Sequence, residues 1–392
     1  MANRGVKIIG MGAVSSIGVG IDATLESLRS GRSGIGPIKN CATTIDVPAG
    51  EVGLTDNEMA GLLGLRPHRH SRTTLLATLA AREAIGEAGL APDTLKKAAL
   101  ISSTTTGGMR ETPLFYAPYA KGEGMGPLSH AWRHPTANHT DEMASALGIG
   151  GWRTTISTAC SSGANAILTG AMMIESGMAE TVVAGGADAL CAFTLGGFNS
   201  LKILSGEACH PLSEGRDGLN LGEGAAYVVM TADEGKPSCG WLSGWRNTND
   251  AYHQTAMSDD GAGCRASMRG AMEKAGIGPS GIGYINLHGT ATPNNDQTEM
   301  AAIEAVWGGK IPFFGSTKGL TGHTLAASGA LEAVFCLLAL RERMAWASAG
   351  LTTPMEGHPP ALGSNGPLEA EYALSNSLGF GGNCTSLIFR KA

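Results

Sequence analysis

The 392-residue sequence has few charged and few aromatic residues: Asp, Glu, Lys and Arg make up 16% of it, and Phe, Trp and Tyr only 5%. The 28 basic residues are outnumbered by 34 acidic ones, and no basic run offsets the net charge of −6. This charge argues against nucleic acid as a partner. A thin charged shell over an apolar interior favours a sheet covered on both faces over an open, solvated one.

Long apolar runs and closely spaced cysteines are also missing. The apolar stretch at residues 6–14 is short and broken by glycine, so it predicts a first β-strand and neither a signal peptide nor a membrane span. The eight cysteines lie far apart, with no CxxC pair and no His/Cys cluster of zinc spacing. We therefore expect reduced, buried thiols, no metal site and a cytoplasmic protein.

What the sequence does contain is glycine, with 58 residues spread over the chain without a period, which predicts many tight turns. Short β-branched runs alternate with Ala-rich stretches, the pattern of an α/β protein. The predicted strands are residues 6–10, 98–103, 154–157, 181–185, 226–231, 284–287, 313–316, 372–375 and 385–390. The predicted helices are residues 71–88, 163–176, 263–275, 296–307 and 326–342.

Two segments about 160 residues apart resemble each other. Residues 156–160 lead through Gly163 into a helix of small residues, and residues 315–319 precede another such helix at 326–333. A recurrence at this distance fits a duplicated domain. Any α/β protein repeats strand–turn–helix units, however, so the pattern alone leaves duplication open. Residues 235–238 are the candidate connection between two halves, 1–235 and 236–392.

Cys160 lies between a predicted strand end and a helix start, among small residues that leave room for a substrate. The N–H groups and positive dipole end of that helix would favour a thiolate. Cys160 is therefore a candidate nucleophile. The alternative is a buried structural cysteine.

Three further segments carry residues suited to chemistry at strand ends. His288 precedes a loop with Thr290 and Thr292, and it suits an acid/base or donor role, although an ordinary helix-capping turn is the alternative. Lys318 and His323 bracket a Gly-rich loop and could equally be a solvated charge and a helix-start residue. The last segment is the Gly-rich turn of residues 379–382, which either offers an N–H to an oxyanion or simply connects two strands.

Together these motifs resemble the elongating (KAS I/KAS II) β-ketoacyl-acyl-carrier-protein synthases, of the thiolase-fold superfamily. The resemblance covers essentially the whole chain, and the motifs keep the family's order. The matching segments are residues 158–163, 217–224, 288–296, 316–323 and 379–383. The resemblance implies an α/β thiolase fold, which is a duplicated five-layer αβαβα sandwich. It also implies a reaction, the decarboxylative condensation of an acyl thioester with malonyl-acyl-carrier protein.

The resemblance also implies a role for each motif residue. Cys160 would carry the acyl group, His288 and His323 would assist decarboxylation and stabilise the enolate, and Lys318 with Glu332 would orient them. The N–H groups of Cys160 and Phe380 would form an oxyanion hole, with Phe380 also acting as a gate. The predicted substrate-binding residues are Thr290, Thr292, Phe198, Gly379 and Gly381, with the residues near Met109 added to the acyl pocket.

The implied partners are an acyl carrier protein and a second subunit. Substrates would arrive on the carrier's phosphopantetheine arm, so no cofactor is expected. The acidic carrier would dock on a local basic patch, or this patch is merely a solvated helix start. The predicted docking residues are Arg66, Arg69, Arg72 and Lys202.

Three rival families explain the sequence less well, and the assembly stays open. A degradative thiolase would use a second cysteine as base, but Cys384 lies in a different motif and His323 would be unexplained. Initiating synthases carry one histidine and one asparagine, and non-catalytic chain-length partners lose the cysteine. A homodimer is expected, with a catalytic subunit paired to such a partner as the alternative. Residues 113–135 depart from the family's pattern, so the length and shape of the acyl chain are not defined. Thr73 stands where the family often has an aromatic residue.

Overall fold

The computed structural model describes residues 5–66 and 68–392. Its strands are β1 (Val6–Ser15), β2 (Gly18–Val19), β3 (Ile35–Gly36), β4 (Ala49–Gly50), β5 (Ala99–Ser103), β6 (Arg153–Ile156), β7 (Thr181–Asp188), β8 (Gly224–Thr231), β9 (Gly240–Asn249), β10 (Ile282–Asn286), β11 (Phe313–Gly315), β12 (Met344–Ala345), β13 (Gly366–Pro367), β14 (Tyr372–Gly379) and β15 (Asn383–Arg390).

The α-helices are α1 (Ile21–Ser30), α2 (Asp56–Leu63), α3 (Arg72–Glu87), α4 (Pro92–Leu95), α5 (Thr112–Ala120), α6 (Leu128–Trp132), α7 (Thr136–Leu147), α8 (Ser162–Glu175), α9 (Ala192–Ser200), α10 (Ala262–Ala275), α11 (Pro293–Trp307), α12 (Lys318–Thr321) and α13 (Ser328–Glu342). Two short 3₁₀ turns cover Pro279–Gly281 and Leu325–Ala327.

Ten strands form two five-stranded halves that meet where β1 pairs with β9. On the N-terminal side β1 runs antiparallel to β8 and β8 to β7, whereas β7, β5 and β6 are parallel. On the C-terminal side β9 runs antiparallel to β15 and β15 to β14, whereas β14, β10 and β11 are parallel. The two halves therefore repeat one topology.

The helices lie in three layers around these sheets. α3 packs on the outer face of the N-terminal sheet and α10 on the outer face of the C-terminal one. α8 and α13 lie between the sheets and contact each other. α13 is buried on all sides from Ser328 to Leu340, which explains its apolar sequence without an amphipathic pattern. The order αβαβα confirms the predicted duplicated sandwich.

Small residues let the two central helices approach closely. A Cβ atom on Gly163 of α8 would lie 2.6 Å from the main-chain oxygen of Ala326, and one on Gly329 of α13 would lie 2.9 Å from the nitrogen of Ala164. Both distances are too short for real side chains. The Gly/Ala-rich sequences at both helix starts therefore reflect the packing between the two halves.

The structure differs from the sequence-based elements in places. β9 was not predicted, because its sequence GWLSGWRNTN is half polar and interrupted by glycine. Helices α5 to α7 were not predicted either, in a region that contains four prolines within or next to helices. The boundary between residues 235 and 236 stays a prediction, in the connection from β8 to β9. No helix in the described ranges is long and apolar enough to cross a membrane.

Candidate active site

Cys160 lies on a strained turn between β6 and α8. Ala159 has a left-handed backbone (φ 53°), which is unusual for a residue with a side chain and indicates a turn held by its surroundings. The Ser162 hydroxyl holds it by accepting from the Thr158 N–H at 2.8 Å and donating to the Ala159 carbonyl. Cys160 is 5% exposed and lines a cavity of about 290 Å³.

The surroundings of Cys160 on balance favour the protonated thiol over the thiolate. Burial raises its pKa to about 12, although the Lys318 ammonium and the main-chain N–H groups of Phe380 and Cys160 itself lower it. The main-chain N–H groups at the helix start do favour a thiolate, but the loss of hydration on burial outweighs them. A proton acceptor must take part when the sulfur reacts.

His288 is held on the opposite side of the cavity by two charged residues. Glu299 of α11 accepts from the main-chain N–H groups of His288 (2.9 Å) and Gly289 (2.8 Å). The Lys318 ammonium donates to the His288 carbonyl at 2.6 Å and lies 3.3 Å from Nδ1 of the ring. Nδ1 thus faces a donor, so the ring proton belongs on Nε2.

His323 has the same tautomer for a different reason. Its Nδ1 accepts from the main-chain N–H of Leu325 at 3.3 Å and lies 2.9 Å from the Ser328 hydroxyl. The rings of His288 and His323 are 5.2 Å apart, nearly perpendicular, and both line the cavity. Burial, reinforced by the Lys318 charge, lowers the pKa of both rings well below 6.5, so both are neutral donors at neutral pH.

Lys318 and Glu332 form a buried ion pair behind the histidines. The ammonium donates to Oε1 of Glu332, whereas Oε2 has no partner within the described residues. Burial raises the pKa of Glu332 to about 7, with Lys318 opposing the shift. Since Lys318 also reaches His288, the pair fixes the position of that ring.

The Gly-rich turn between β14 and β15 lies against the turn that carries Cys160. A Cβ atom on Gly379 would lie 2.9 Å from the Thr158 carbonyl, so only glycine permits this approach. Gly381 (φ 85°) and Gly382 (φ 82°) supply the left-handed backbone of the turn. Phe380 stacks on Phe198 with ring centroids 5.7 Å apart, and both line the cavity.

The remaining cavity wall includes Thr290 and Thr292, whose hydroxyls are 2.9 Å apart. The structure therefore brings together the predicted nucleophile, both histidines, the Gly-rich turn and the two threonines. Met109 is not among the cavity-lining residues that the structure describes, so its predicted place in the acyl pocket is not supported.

The predicted docking residues do not form one patch. Arg72 is fully buried, with its guanidinium on both Glu223 oxygens (2.6–3.0 Å) and on Asp56 (2.7 Å). Its assignment as a docking residue is wrong, because a side chain without surface cannot meet a partner. Arg66 and Arg69 are exposed and line a groove on the surface, and Lys202 is exposed after α9.

Two buried carboxylates in this region were missed. Glu299 anchors the His288 loop, and Asp188, at the end of β7, accepts from the loop after β5 and from the turn after His323. An acidic residue ending an otherwise apolar strand was the one available signal for Asp188. Nothing in the spacing of α11 distinguished Glu299 from the more exposed Gln297 and Glu304 of the same helix.

Comparisons with known proteins agree with this geometry. Residues 3–235 match the β-ketoacyl synthase N-terminal domain, and residues 239–352 match the β-ketoacyl synthase C-terminal domain. The 3-oxoacyl-[acyl-carrier-protein] synthase 2 of Staphylococcus aureus is 33% identical over 99% of both chains. The enzyme of the same name from Vibrio harveyi is 32% identical over 100% of this chain and 99% of its own.

Solved structures give the same result. The ishigamide ketosynthase/chain length factor superposes with a TM-score of 0.94 at 30% identity over 100% of both chains. The ketosynthase ApeO, solved in complex with its chain length factor ApeC from Xenorhabdus doucetiae, gives 0.89 at 32% identity over 99% of this chain and 98% of its own. With both domains matched in order and relatives aligned over their full length, this chain belongs to the β-ketoacyl synthase family.

Proposed function

We propose that the protein is a 3-oxoacyl-[acyl-carrier-protein] synthase, which condenses an acyl thioester with malonyl-acyl-carrier protein. The observation that carries the proposal is the arrangement around one cavity of a cysteine thiol and two neutral imidazoles, each with Nδ1 occupied and Nε2 carrying the proton. The family membership and the names of the full-length relatives support the same reaction.

In the first step the Cys160 sulfur attacks the carbonyl carbon of the acyl thioester. The oxygen of the tetrahedral intermediate is stabilised by the N–H groups of Cys160 and Phe380, which converge near the sulfur. The bond from carbon to the carrier's thiol then breaks, and the proton lost by Cys160 ends on that thiol. The product is an acyl thioester on Cys160.

In the second step the malonyl group loses CO₂. The electron pair of the breaking carbon–carbon bond moves onto the thioester, and the Nε2–H groups of His288 and His323 stabilise the enolate oxygen. The enolate carbon then attacks the acyl carbonyl on Cys160, and the carbon–sulfur bond breaks as the 3-oxoacyl product forms. The sulfur leaves as a thiolate and takes up a proton from solvent, which restores the thiol. Neutral imidazoles suit this task, because each donates a hydrogen bond to the enolate without first being charged.

We also propose an acyl carrier protein as the substrate-bearing partner. Thr290 and Thr292 present hydroxyls along the cavity wall, where they suit the amides of a phosphopantetheine arm. Arg66 and Arg69 are exposed on one surface groove, so they offer positive charge to an acidic carrier. In this proposal the arm belongs to the substrate and the enzyme needs no cofactor of its own.

Intact-mass measurement tests the nucleophile. Incubation with acyl-carrier protein should add one acyl group to the wild type and none to Cys160→Ala. The matched control is Cys239→Ala, because Cys239 is the cysteine with the most surface in the described chain. An acylated Cys160→Ala protein, or loss of acylation in Cys239→Ala, would refute the assignment. Malonyl-carrier protein is then added, and a 3-oxoacyl product by mass is expected.

A second candidate is a catalytic subunit paired with a non-catalytic chain-length partner. Two of the structural neighbours are ketosynthases with chain length factors. In this chain, α5 and α6 expose large apolar side chains, each more than half accessible, which is typical of a subunit interface. These residues are Leu114, Tyr116, Tyr119, Leu128 and Trp132.

Light scattering of the purified chain separates the two assemblies. A dimer that elongates an acyl chain without another protein supports the homodimer and refutes the heterodimer. The variant Tyr116→Glu/Trp132→Glu should dissociate either assembly, whereas Met178→Glu, at an exposed methionine after α8, should not. An unchanged mass for the double variant would show that this face is not the interface.

A further inference from the structure

Asp188 is a buried carboxylate shared by the two halves of the sandwich. It ends β7 in the N-terminal half and has no exposed surface. Five donors come from the loop after β5: the hydroxyls of Thr104, Thr105 and Thr106 and the main-chain N–H groups of the last two. The sixth is the main-chain N–H of Ala326, 2.8 Å from Oδ2, in the C-terminal half.

The Ala326 contact lies in the turn that determines the His323 tautomer. Leu325 has a left-handed backbone (φ 52°), which is unfavourable for a residue with a side chain. In this conformation its N–H reaches Nδ1 of His323 at 3.3 Å. The next N–H along the chain, that of Ala326, is the one that Asp188 accepts. The carboxylate therefore holds the strained turn that aims the Leu325 N–H at the ring.

We propose that Asp188 is a positioning residue that keeps the His323 proton on Nε2, by fixing the Leu325–Ala326 turn from the other half of the molecule. Without this anchor, Leu325 relaxes toward an unstrained backbone and its N–H leaves Nδ1. Nδ1 can then hold the proton, with the Ser328 hydroxyl, 2.9 Å away, as acceptor. The ring stays buried but no longer presents a donor to the cavity.

An Asp188→Asn substitution should break this contact selectively. Oδ1 receives four donors, two of which are main-chain N–H groups that cannot turn, so the amide oxygen of asparagine belongs there. Its nitrogen then takes the place of Oδ2 and faces the Ala326 N–H, donor against donor. Oδ2 has two further donors, both from Thr105. The Thr105 hydroxyl can rotate and accept instead, and the Thr105 N–H, 3.2 Å from Oδ2, keeps its contact with Oδ1 at 3.0 Å.

The matched control is Thr106→Val. Thr106 donates its hydroxyl to Oδ1 at 2.8 Å, on the side away from Ala326. This variant removes one hydrogen bond to the same carboxylate and leaves the contact with the Leu325–Ala326 turn in place. If Asp188 served packing alone, the two variants would differ only in stability and neither would alter His323.

The experiment is ¹⁵N NMR of histidine-labelled protein, with the His323 signals identified by their loss in His323→Asn. The wild type and Thr106→Val should show His323 protonated on Nε2, and Asp188→Asn should show a substantial Nδ1-protonated population. A wild-type ring protonated on Nδ1, or an Asp188→Asn spectrum identical to wild type, would overturn the inference. Where Asp188→Asn does not fold, a wild-type ring protonated on Nδ1 still overturns the inference.

A second measurement rests on the proposed function. CO₂ release from malonyl-carrier protein should fall by about 10- to 100-fold in Asp188→Asn, the usual cost of a misplaced catalytic group, while acyl transfer to Cys160 stays near the wild-type rate. Equal losses in both half-reactions would indicate a general structural defect and contradict the inference. A wild type that releases no CO₂ would count against the proposed function alone, because the tautomer measurement is independent of it.

Discussion

Removal of the Lys318 ammonium should destabilise the protein in a way that depends on pH. Lys318→Met deletes the charge that faces the buried Glu332 and leaves that carboxylate without a cation in contact. A fully buried, unpaired carboxylate avoids its charge by taking up a proton. The cost of the substitution is therefore set by the free energy of protonating Glu332, which rises with pH.

The magnitude follows from the pKa of Glu332. In the wild type it is raised from 4.5 to about 7, so the folded protein holds a proton that the unfolded chain has released. Wild-type stability thus falls as the pH rises from 4.5 to about 7 and is level above, where both states are ionised. Without Lys318 the pKa rises further and the fall continues, at about 1.4 kcal/mol per pH unit. From about pH 7 to 8.5 the free energy of unfolding should therefore fall by about 2 kcal/mol more in the variant than in the wild type.

Urea unfolding followed by tryptophan fluorescence, at equal protein concentration and at both pH values, measures this difference. Lys318→Met/Glu332→Gln is the control, because it has no carboxylate to protonate and its deficit should not grow with pH. A Lys318→Met deficit that is constant, or that shrinks toward higher pH, would refute the linkage argument.

Three further predictions concern the cavity and its surface. Gly379→Ala should slow acylation of Cys160 by at least about tenfold, because the new Cβ would push the Gly-rich turn away from the turn that carries Cys160. Intact mass measured over time gives the rate, and an unchanged rate would contradict the close approach of the two turns. Phe380→Ala should speed alkylation of Cys160 by iodoacetamide, because it removes one of the two stacked rings at the cavity, and a slower reaction would argue against a gate. Arg69→Glu should raise KM for carrier-bound substrate more than for a pantetheine mimic. The control is Lys97→Glu, at an exposed lysine elsewhere on the surface. Equal effects of Arg69→Glu on both substrates would argue against carrier docking at Arg69.

Much of the fold was readable from the sequence, because apolar strands and small-residue helices are local signals. The strand before Asn286 and the buried helix α13 were predicted to within a few residues. β9 was not, because half of it faces polar surroundings and its place depends on pairing with β15, more than 130 residues away. The duplication was open from spacing alone, was implied by the family resemblance, and is confirmed by the repeated strand order.

The sequence predicted those site residues whose role follows from their own side chain. It did not predict those whose role depends on contact with a residue far away in the chain. Cys160, His288 and His323 were found because their motifs are distinctive. Arg72 was misassigned because its partner Glu223 lies 151 positions away, and a buried pair looks like a surface charge in sequence. Asp188 was missed for the same reason, since its role depends on a hydrogen bond from the Ala326 N–H, 138 positions away.

The paired central helices also bear on the origin of the chain. Neither half closes its own core: α8 and α13 each lie on one sheet and on each other, and the close contacts at Gly163 and Gly329 run between the halves. A single ancestral unit with one such helix would expose that face, so it would have been stable only as a pair of identical copies. The two halves also differ in what they bring to the cavity: Cys160 comes from the N-terminal half and both histidines come from the C-terminal half, so the site lies at the seam between them.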